Sequence, residues 1–507
     1  MEVVRQHAHS AYRTGGMACA VAATAILAVA CTPGNARPQA EGARDGVAAV
    51  GEVRAEPVEL AVDRHRQSDG VVAEGGADAV YNYGPTVMTE GGTVRMWWCS
   101  QYGSADPPGD DILHAEADSV EGPFTAPGGG IPDSVLSGDP GSFDGVHTCD
   151  PSVIRVDGTY YLYYTGAAGS HDHGNAIGLA TSTDGRTWTR AAGNPVVRPA
   201  HDTTRDNTYG AGQPAAVYLD GWFYLMFTDT TGRAAGWNGA GQFVIRAKDP
   251  TFSTGVEALG PDGFTSVAGT GTPRTRSVVD AFSADLMWVD ALDAFAIAHQ
   301  TDRGTTITFW NRDFTATPYR PVLLPAPWEE GPGLVREPDG HAPVSTDDPC
   351  GRVPVDVIHA TRIGEAGAPT ALRHFGLDIH GVDGCATTGR ALAVLDGFAM
   401  PSPQRTMDLV TGGKLLRIER RSVAETIAHT VLDERPAAVD RISVAARLRA
   451  GAPAVRALGE GTGFVLDGTL WPVTDAEAVS RNDSHARAVT DAEWRAYRLG
   501  PTLGARG

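Results

Sequence analysis

The sequence predicts an all-β protein, a five-bladed β-propeller with a small α+β accessory region at its C-terminus. Two observations predict it. A hairpin pattern recurs five times, each copy followed by a second pair of strands. The 507 residues include 62 Gly and 33 Pro, which favours many turns and short strands over long helices.

The clearest copy is Asp150-Pro-Ser-Val-Ile-Arg-Val-Asp-Gly-Thr-Tyr-Tyr-Leu-Tyr-Tyr-Thr-Gly166, two apolar strands around an Asp157-Gly158 turn. Its partner runs from Gln213-Pro214 through Asp220-Gly221 to Asp229. An earlier copy runs from Gly84-Pro85 through Gly91-Gly92 to Cys99. A looser one spans Ala284–Trp288 and Ala296–His299, and the fifth runs from His341-Ala342-Pro343 to Val355–His359. The openings Gly84, Asp150 and Gln213 are 66 and 63 residues apart, and Ala284 follows 71 later. The second pairs include Asp111–Glu116, Ala176–Thr181, Gln242–Ala247, Thr306–Trp310 and His374–Asp378. Four strands per unit at this spacing point to blades around a channel, because one blade cannot bury both faces alone. A two-sheet sandwich gives no reason for the period.

At 507 residues the chain exceeds one ordinary core, and its 42% hydrophobic and 20% charged content argues against disorder. The net charge of -20 repels phosphate backbones, so no nucleic-acid partner is expected. At the N-terminus, Arg5 and Arg13 precede an apolar run, Met17–Ala30, in the manner of a secretory signal. The run ends in Ala28-Val29-Ala30-Cys31, similar to a bacterial lipobox. Residues 1–31 are therefore read as a signal peptide of lipoprotein type, with Cys31 the lipid anchor and simple signal-peptidase release the alternative. Residues 32–74 read as a flexible tether, 75–390 as the propeller and 402–507 as the accessory module. The expected location is the cell surface, or secreted if no lipid is added. Beyond Cys19 in the signal and Cys31, four cysteines remain, which suits two disulfides in an exported protein. Of three connectivities, the repeat register favours Cys99–Cys149 and Cys350–Cys385. Zinc competes, but no Cys-x-x-Cys spacing supports it.

The segment His147-Thr-Cys-Asp-Pro-Ser-Val-Ile-Arg-Val-Asp-Gly-Thr-Tyr-Tyr-Leu-Tyr-Tyr164, with Tyr81–Val87 and Tyr209–Pro214, resembles the five-bladed propellers of glycoside hydrolase families 43, 32 and 117, as an uncharacterised branch. The resemblance covers roughly residues 75–390. It implies that each blade's first strand lines the axis and that its opening residue faces a sugar pocket. It also implies a first-blade Asp as base, a second-blade Asp as modulator and a third-blade Glu as acid. Only Asp150 matches. Gly84 and Gln213 stand at the other two positions, and neither serves as a general acid or base. Glycoside hydrolysis needs two carboxyl groups, so the departure bears on mechanism rather than fold.

Candidate catalytic residues are therefore Asp150, His147, Asp285 and Asp206, a His–Asp pairing being chemically reasonable. Asp144 and His341 join Tyr83, Tyr209, Gln213 and Trp237 as candidate substrate-binding residues, the aromatics as platforms for sugar rings. Each has a plainer reading: Asp150 as a turn cap before Pro151, His147 as a hydrogen-bonded loop residue, the aromatics as core. Of Trp97 and Trp98, which alternate in one strand, at least one is expected in the core. His171, Asp172 and His173 read as a solvated loop rather than a metal pair, and Glu121-Gly122-Pro123 as a turn. No cofactor is required, and a structural calcium is compatible. The C-terminal region carries candidate helices at Ala437–Leu448 and Asp491–Tyr497, a hairpin over Gly463–Val473 and a capped helix start at Thr474–Glu477. A fainter copy begins at Lys414. The expectation is a carbohydrate-active protein whose partner is an oligo- or polysaccharide, a glycoside hydrolase or a glycan-binding relative that has lost catalysis.

Overall fold

Two-residue turns set the hairpins. Asp157 and Gly158 both adopt positive φ (49° and 80°), as do Asp220 and Gly221 (50° and 79°) and Gly91 and Gly92 (58° and 86°). Two left-handed residues in succession match the right-handed twist of the strands they join. The computed structural model describes residues 56–75, 79–102, 109–169, 173–203, 209–325, 331–361 and 372–504. Cys31, with the signal and most of the tether, lies outside the described residues, as do Asp206, His171 and Asp172. The chain divides after Glu56, and the unit Pro57–Gly507 is the one considered below.

That unit is mostly β. In chain order the strands begin with β1 (Ala61–Gln67), β2 (Ala79–Glu90), β3 (Thr93–Tyr102), β4 (Asp110–Ala117) and β5 (Asp133–Leu136). There follow β6 (His147–Val156), β7 (Thr159–Ala167), β8 (Ala176–Ser182) and β9 (Thr189–Arg190). A third group is β10 (Ala211–Leu219), β11 (Trp222–Asp229), β12 (Gln242–Ala247), β13 (Glu257–Gly260) and β14 (Gly263–Ser266). A fourth is β15 (Ala284–Val289), β16 (Ala294–Thr301), β17 (Gly304–Asn311) and β18 (Val322–Leu324). The fifth is β19 (Gly333–Arg336), β20 (Arg352–Ala360) and β21 (Leu372–His380).

Hydrogen bonding joins the first, second and fifth groups into one sheet in the order β1-β21-β20-β19-β2-β3-β4-β6-β7-β8-β9, with β5 on β4. The third and fourth groups are separate sheets, so backbone pairing alone leaves the arrangement open. Side-chain packing goes further. The first strands are successive neighbours: β2 by β6, β6 by β10, β10 by β15, β15 by β19, and β19 by β2. Alternation sends Val153, Leu162 and Tyr164 toward Met88 and Trp97 of the first group. Ile154, Val156 and Tyr163 face Ala216 and Phe227 of the third. Trp97 and Trp98 are both fully buried, on opposite faces of β3.

Arg336, at 1% exposure, sits where these first strands converge. Its guanidinium donates to Ala216 O (3.1 Å), Leu286 O (2.8 Å) and Thr86 Oγ1 (2.7 Å), one group each from β10, β15 and β2. Beyond it, the loop after β19 crosses the lower ends of the strands. The amides of Arg155, Tyr218 and Trp288 donate to its Pro338, Asp339 and Gly340 carbonyls.

Three expectations are corrected. The fifth group opens at Gly333 rather than at His341, which lies in that crossing loop. The stretch read as tether contains β1, which pairs antiparallel with β21 from Ala61↔His380 to Gln67↔Phe375. Finally, Ala437–Leu448 is not a helix: a 3-10 turn at Ala437–Arg441 leads into a strand, Val444–Leu448. There Ala446 and Leu448 are buried and Ala445 and Arg447 exposed, a period of two that pairing with Lys414–Ile418 enforces.

Both expected disulfides are present, Cys99–Cys149 tying β3 to β6 and Cys350–Cys385 tying the loop before β20 to the segment after β21. The C-terminal part holds two sheets of one topology. Phe398–Pro401, Met407–Thr411 and Lys414–Ile418 form a meander flanked by parallel strands at Thr430–Val431 and Val444–Leu448. Ala454–Ala457, Gly461–Leu466 and Thr469–Val473 repeat it with Ala486–Ala488 and Arg498–Leu499. The expected hairpin and the helix Glu477–Arg481 fall in this second copy. Among the described residues no helix is long and apolar enough to cross a membrane.

Candidate active site

Four of the five first strands open on one local device. Gly84, Asp150, Gln213 and Gly331 all precede a proline and all adopt positive φ (57°, 47°, 53° and 70°). At the first three, the pairing register slips between Tyr83 and Thr86, between Cys149 and Ser152, and between Gly212 and Ala215. A proline has no amide to give the ladder, and the bulge beside it turns the preceding side chain out of the strand toward the rim. Non-glycine residues rarely adopt this conformation; Asp150 and Gln213 are held in it.

These openings converge. A Cβ on Gly84 would stand 3.2 Å from Asp150 Oδ1, and one on Gly331 would stand 2.6 Å from the Gly84 Cα and 3.5 Å from Ser283 Oγ. Asp150 is buried and hydrogen-bonds Thr165, whose Oγ1 also accepts from the Gln213 amide at 2.7 Å. Tyr209 packs its hydroxyl end against Gly212, where a Cβ would meet both that hydroxyl and Thr165. Tyr83 lies at the same rim, its hydroxyl 3.2 Å from Cys149 Sγ. Asp150, Gln213, Tyr209 and Tyr83 are thus brought together.

The electrostatics center on three groups. His147 pairs through Nδ1 with Asp110 Oδ2, across the single parallel contact between β4 and β6. Burial pushes the Asp150 carboxyl up to about 6, with Asp110 adding to the rise and His147 and Thr165 opposing it. Burial pulls the His147 imidazole down, but the Asp110 carboxylate, and then Asp150, raise it above the ordinary histidine value. A carboxyl near 6 beside an imidazole raised above its ordinary value is suited to exchanging a proton near neutrality. Asp110 escaped the sequence reading because it neighbours His147 only through the β4–β6 register; its place at a strand opening beside Asp111 was the available signal. Asp110, His147 and Cys149 are also close enough to suggest a metal site, with ligand atoms within 4.8 Å. Cys149, however, is disulfide-bonded and offers no thiolate.

Other candidates lie elsewhere. Asp144 is fully buried and its Oδ2 accepts from Tyr164 Oη (2.8 Å) and Arg190 Nε (2.7 Å), so it braces the loop before β6 instead of facing a ligand. Asp285 accepts from the Leu286 and Leu334 amides (2.9 and 2.8 Å) and pairs with Arg336 at 3.3 Å, joining β15 to β19. Asp285 is thus committed to backbone and to Arg336. His341 lies at the opposite end of the strands from Asp150. Its Nδ1 contacts Asp290 Oδ2 at 2.8 Å and its Nε2 donates to Tyr218 O at 3.0 Å. With Asp339 and Asp290 raising its pKa to about 9 against burial, which lowers it, it is a charged fastener of the crossing loop. Trp237 is 80% exposed, on the loop after β11.

No family model matches the chain. Over 122 residues it is 34% identical to arabinan endo-1,5-alpha-L-arabinosidase A of Aspergillus niger, covering 24% of this chain and 35% of that protein. Over 84 residues it is 40% identical to the enzyme of the same name from Aspergillus aculeatus, covering 16% and 25%. The chain thus spans about a third or less of the length of the curated relatives it matches. Among solved structures, it resembles Zg3597, a family 117 glycoside hydrolase of Zobellia galactanivorans, with TM-score 0.43, 14% identity and coverage of 64% and 92%. A second is the alpha-L-arabinofuranosidase PaAbf62A of Podospora anserina in complex with cellotriose, with TM-score 0.40, 11% identity and coverage of 64% and 99%. Over its matched stretch the chain is similar to these arabinanases, in keeping with the glycoside hydrolase resemblance read from the sequence.

Proposed function

We propose that this chain is an exported five-bladed propeller that hydrolyses glycosidic bonds in extracellular glycan, with Asp150 as the proton-transferring carboxyl. The succession of first strands around Arg336 supports the ring, with β1 completing its fifth blade. Residues 1–31 as signal, Cys31 as anchor and the region after 402 as accessory module belong to the same proposal.

The observation that carries it is Asp150: a buried carboxyl raised to about 6, at a rim shared with Tyr209, Tyr83 and Gln213. In its acid form Asp150 gives a proton to the leaving oxygen as the glycosidic C–O bond breaks. Water then adds to the anomeric carbon and its proton returns to the Asp150 carboxylate, which His147, raised by Asp110, stabilises meanwhile. A second reading, a glycan-binding protein without turnover, is favoured by Gly84 and Gln213 at openings equivalent to Asp150. The relatives' names direct the first substrates toward arabinan.

The test compares the wild type with Asp150→Asn on aryl glycosides and polysaccharides, linear arabinan included. Loss of turnover by about a hundredfold or more is expected. Equal turnover by both proteins would remove Asp150 from the chemistry, and binding without turnover by either would favour the second reading.

A further inference from the structure

The loop between β11 and β12 leaves from the same end of β11 that pairs with the opening of β10, since Ala211 lies opposite Asp229 and Gly212 opposite Thr228. It is tightly built: the Gly236 amide donates to Ala240 O at 2.7 Å, the Gly239 amide to Gly236 O at 2.9 Å and the Ala240 amide to Asn238 Oδ1 at 3.1 Å. At its tip Trp237 is 80% exposed. Among the described residues it is the one large aromatic so exposed, while Trp97, Trp98 and Trp288 are buried. A lone exposed aliphatic group calls for no explanation, but an indole carried on a hydrogen-bonded turn presents a flat apolar face with little main-chain order to lose on binding.

A second group stands beside it. The position of a Gly236 Cβ is 3.2 Å from Asp280 Oδ1, and Asp280 is exposed. The segment carrying Asp280 continues into the candidate site. Ala281 O accepts from the Gly241 amide at 3.1 Å, and Ser283 lies against Gly331 at the rim. An aromatic side chain on this turn and a solvated carboxylate at the turn's base match the two chemistries of a sugar ring. Its C–H groups carry slight positive charge toward the π face, and its paired hydroxyls donate to a carboxylate.

We propose that Trp237 and Asp280 form an accessory subsite for a neutral glycan chain, on the rim outside the Asp150 pocket. This rests on the reading of that pocket as a sugar site and extends it: the ligand is a polymer long enough to reach from one to the other. Asp280 and the net charge of -20 exclude uronate-rich chains by repulsion.

The test uses the full chain. Binding to linear arabinan, xylan, mannan and polygalacturonate is followed by tryptophan fluorescence. Turnover is compared between polymer and aryl arabinofuranoside for wild type, Trp237→Ala, Trp237→Phe and Asp280→Asn. The expected result is neutral-polymer binding that weakens about tenfold in Trp237→Ala and recovers in Trp237→Phe. The ratio of polymer to aryl-glycoside kcat/KM should fall to match. Neutral-polymer affinity equal in wild type and Trp237→Ala would overturn the subsite and leave the pocket reading intact. Trp237-dependent binding with no turnover of any substrate would overturn hydrolysis and leave the subsite standing. Failure of the wild type to bind any of the three neutral polymers would overturn the subsite, and absence of aryl-glycoside turnover as well would overturn hydrolysis.

Discussion

Ionised, the buried Asp150 works against the fold. Its carboxyl is raised from 3.8 to about 6, chiefly by burial. Below pH 4 it is protonated in folded and unfolded chains alike, and no cost arises. Between pH 4 and 6 the unfolded chain ionises first, so stability falls as pH rises through this window and stays lowered above it. Asp150→Asn, which never ionises, should therefore be more stable than wild type at pH 7, by on the order of 3 kcal/mol at most. The gain should shrink toward zero at pH 4. Denaturant melts at the two pH values measure it, and an equal difference at both would contradict a buried ionised carboxylate. At this scale, legibility depended on how local the signal was. Asp150 was readable because Asp-Pro recurs in register with Gly84-Pro85 and Gln213-Pro214. Asp144 was not, because its burial against Tyr164 and Arg190 depends on where a loop folds back. Asp110 became part of the site only through a contact between two strands far apart in sequence.

At the scale of elements, β1 is the edge strand that the N-terminal segment adds to β21. Arg66 grips Asp356 with two bonds of 2.7 Å and reaches Asp378 at 2.7 Å, while His374 holds Asp356 at 2.6 Å. Arg352 bridges Asp378 to Asp63 on β1 itself. Asp356, Asp378 and His374 are largely buried, so removing Arg66 leaves two carboxylates without their main partner. Arg66→Ala should cost about 3 kcal/mol in denaturant unfolding. A loss under about 0.5 kcal/mol would mean that β1 is dispensable to the sheet. The sequence concealed this strand. Ala-Val-Asp-Arg-His-Arg-Gln carries no apolar alternation, and its strand character comes from the edge of β21 and from charge pairing. The turns, by contrast, were legible, because Asp-Gly and Gly-Gly encode positive φ locally.

Taken whole, the molecule does not carry its C-terminal region as a loose appendage. Phe398, Met400, Val410, Leu415, Leu432, Val439 and Ile442 share one core with Met287, Leu334, Val355 and Leu377 of the fourth and fifth groups. The second C-terminal sheet packs on the first through Leu416, Val423, Phe464 and Trp471. A chain truncated after Thr387 would expose this shared core. It should melt well below the full-length protein and bind a hydrophobic dye, and an unchanged Tm would show that the region is an independent module. The repeated meander was visible in the sequence only as a faint copy, because burial pattern and pairing repeat there more faithfully than residue identity.

By itself the sequence determined the β-rich class, the recurring hairpins and the Asp-Pro opening at Asp150, which depend on short-range chemistry: turn residues, alternation and a proline after a bulge. The repeat register then favoured the two disulfide pairings that the structure holds. Only the tertiary structure decided that Asp110 backs His147, that Asp285 serves Arg336 and that His341 lies at the far end. It also decided that β1 joins β21. Each of these is a meeting of residues distant in sequence, set by how whole sheets pack, and no local pattern records which strand a side chain will face.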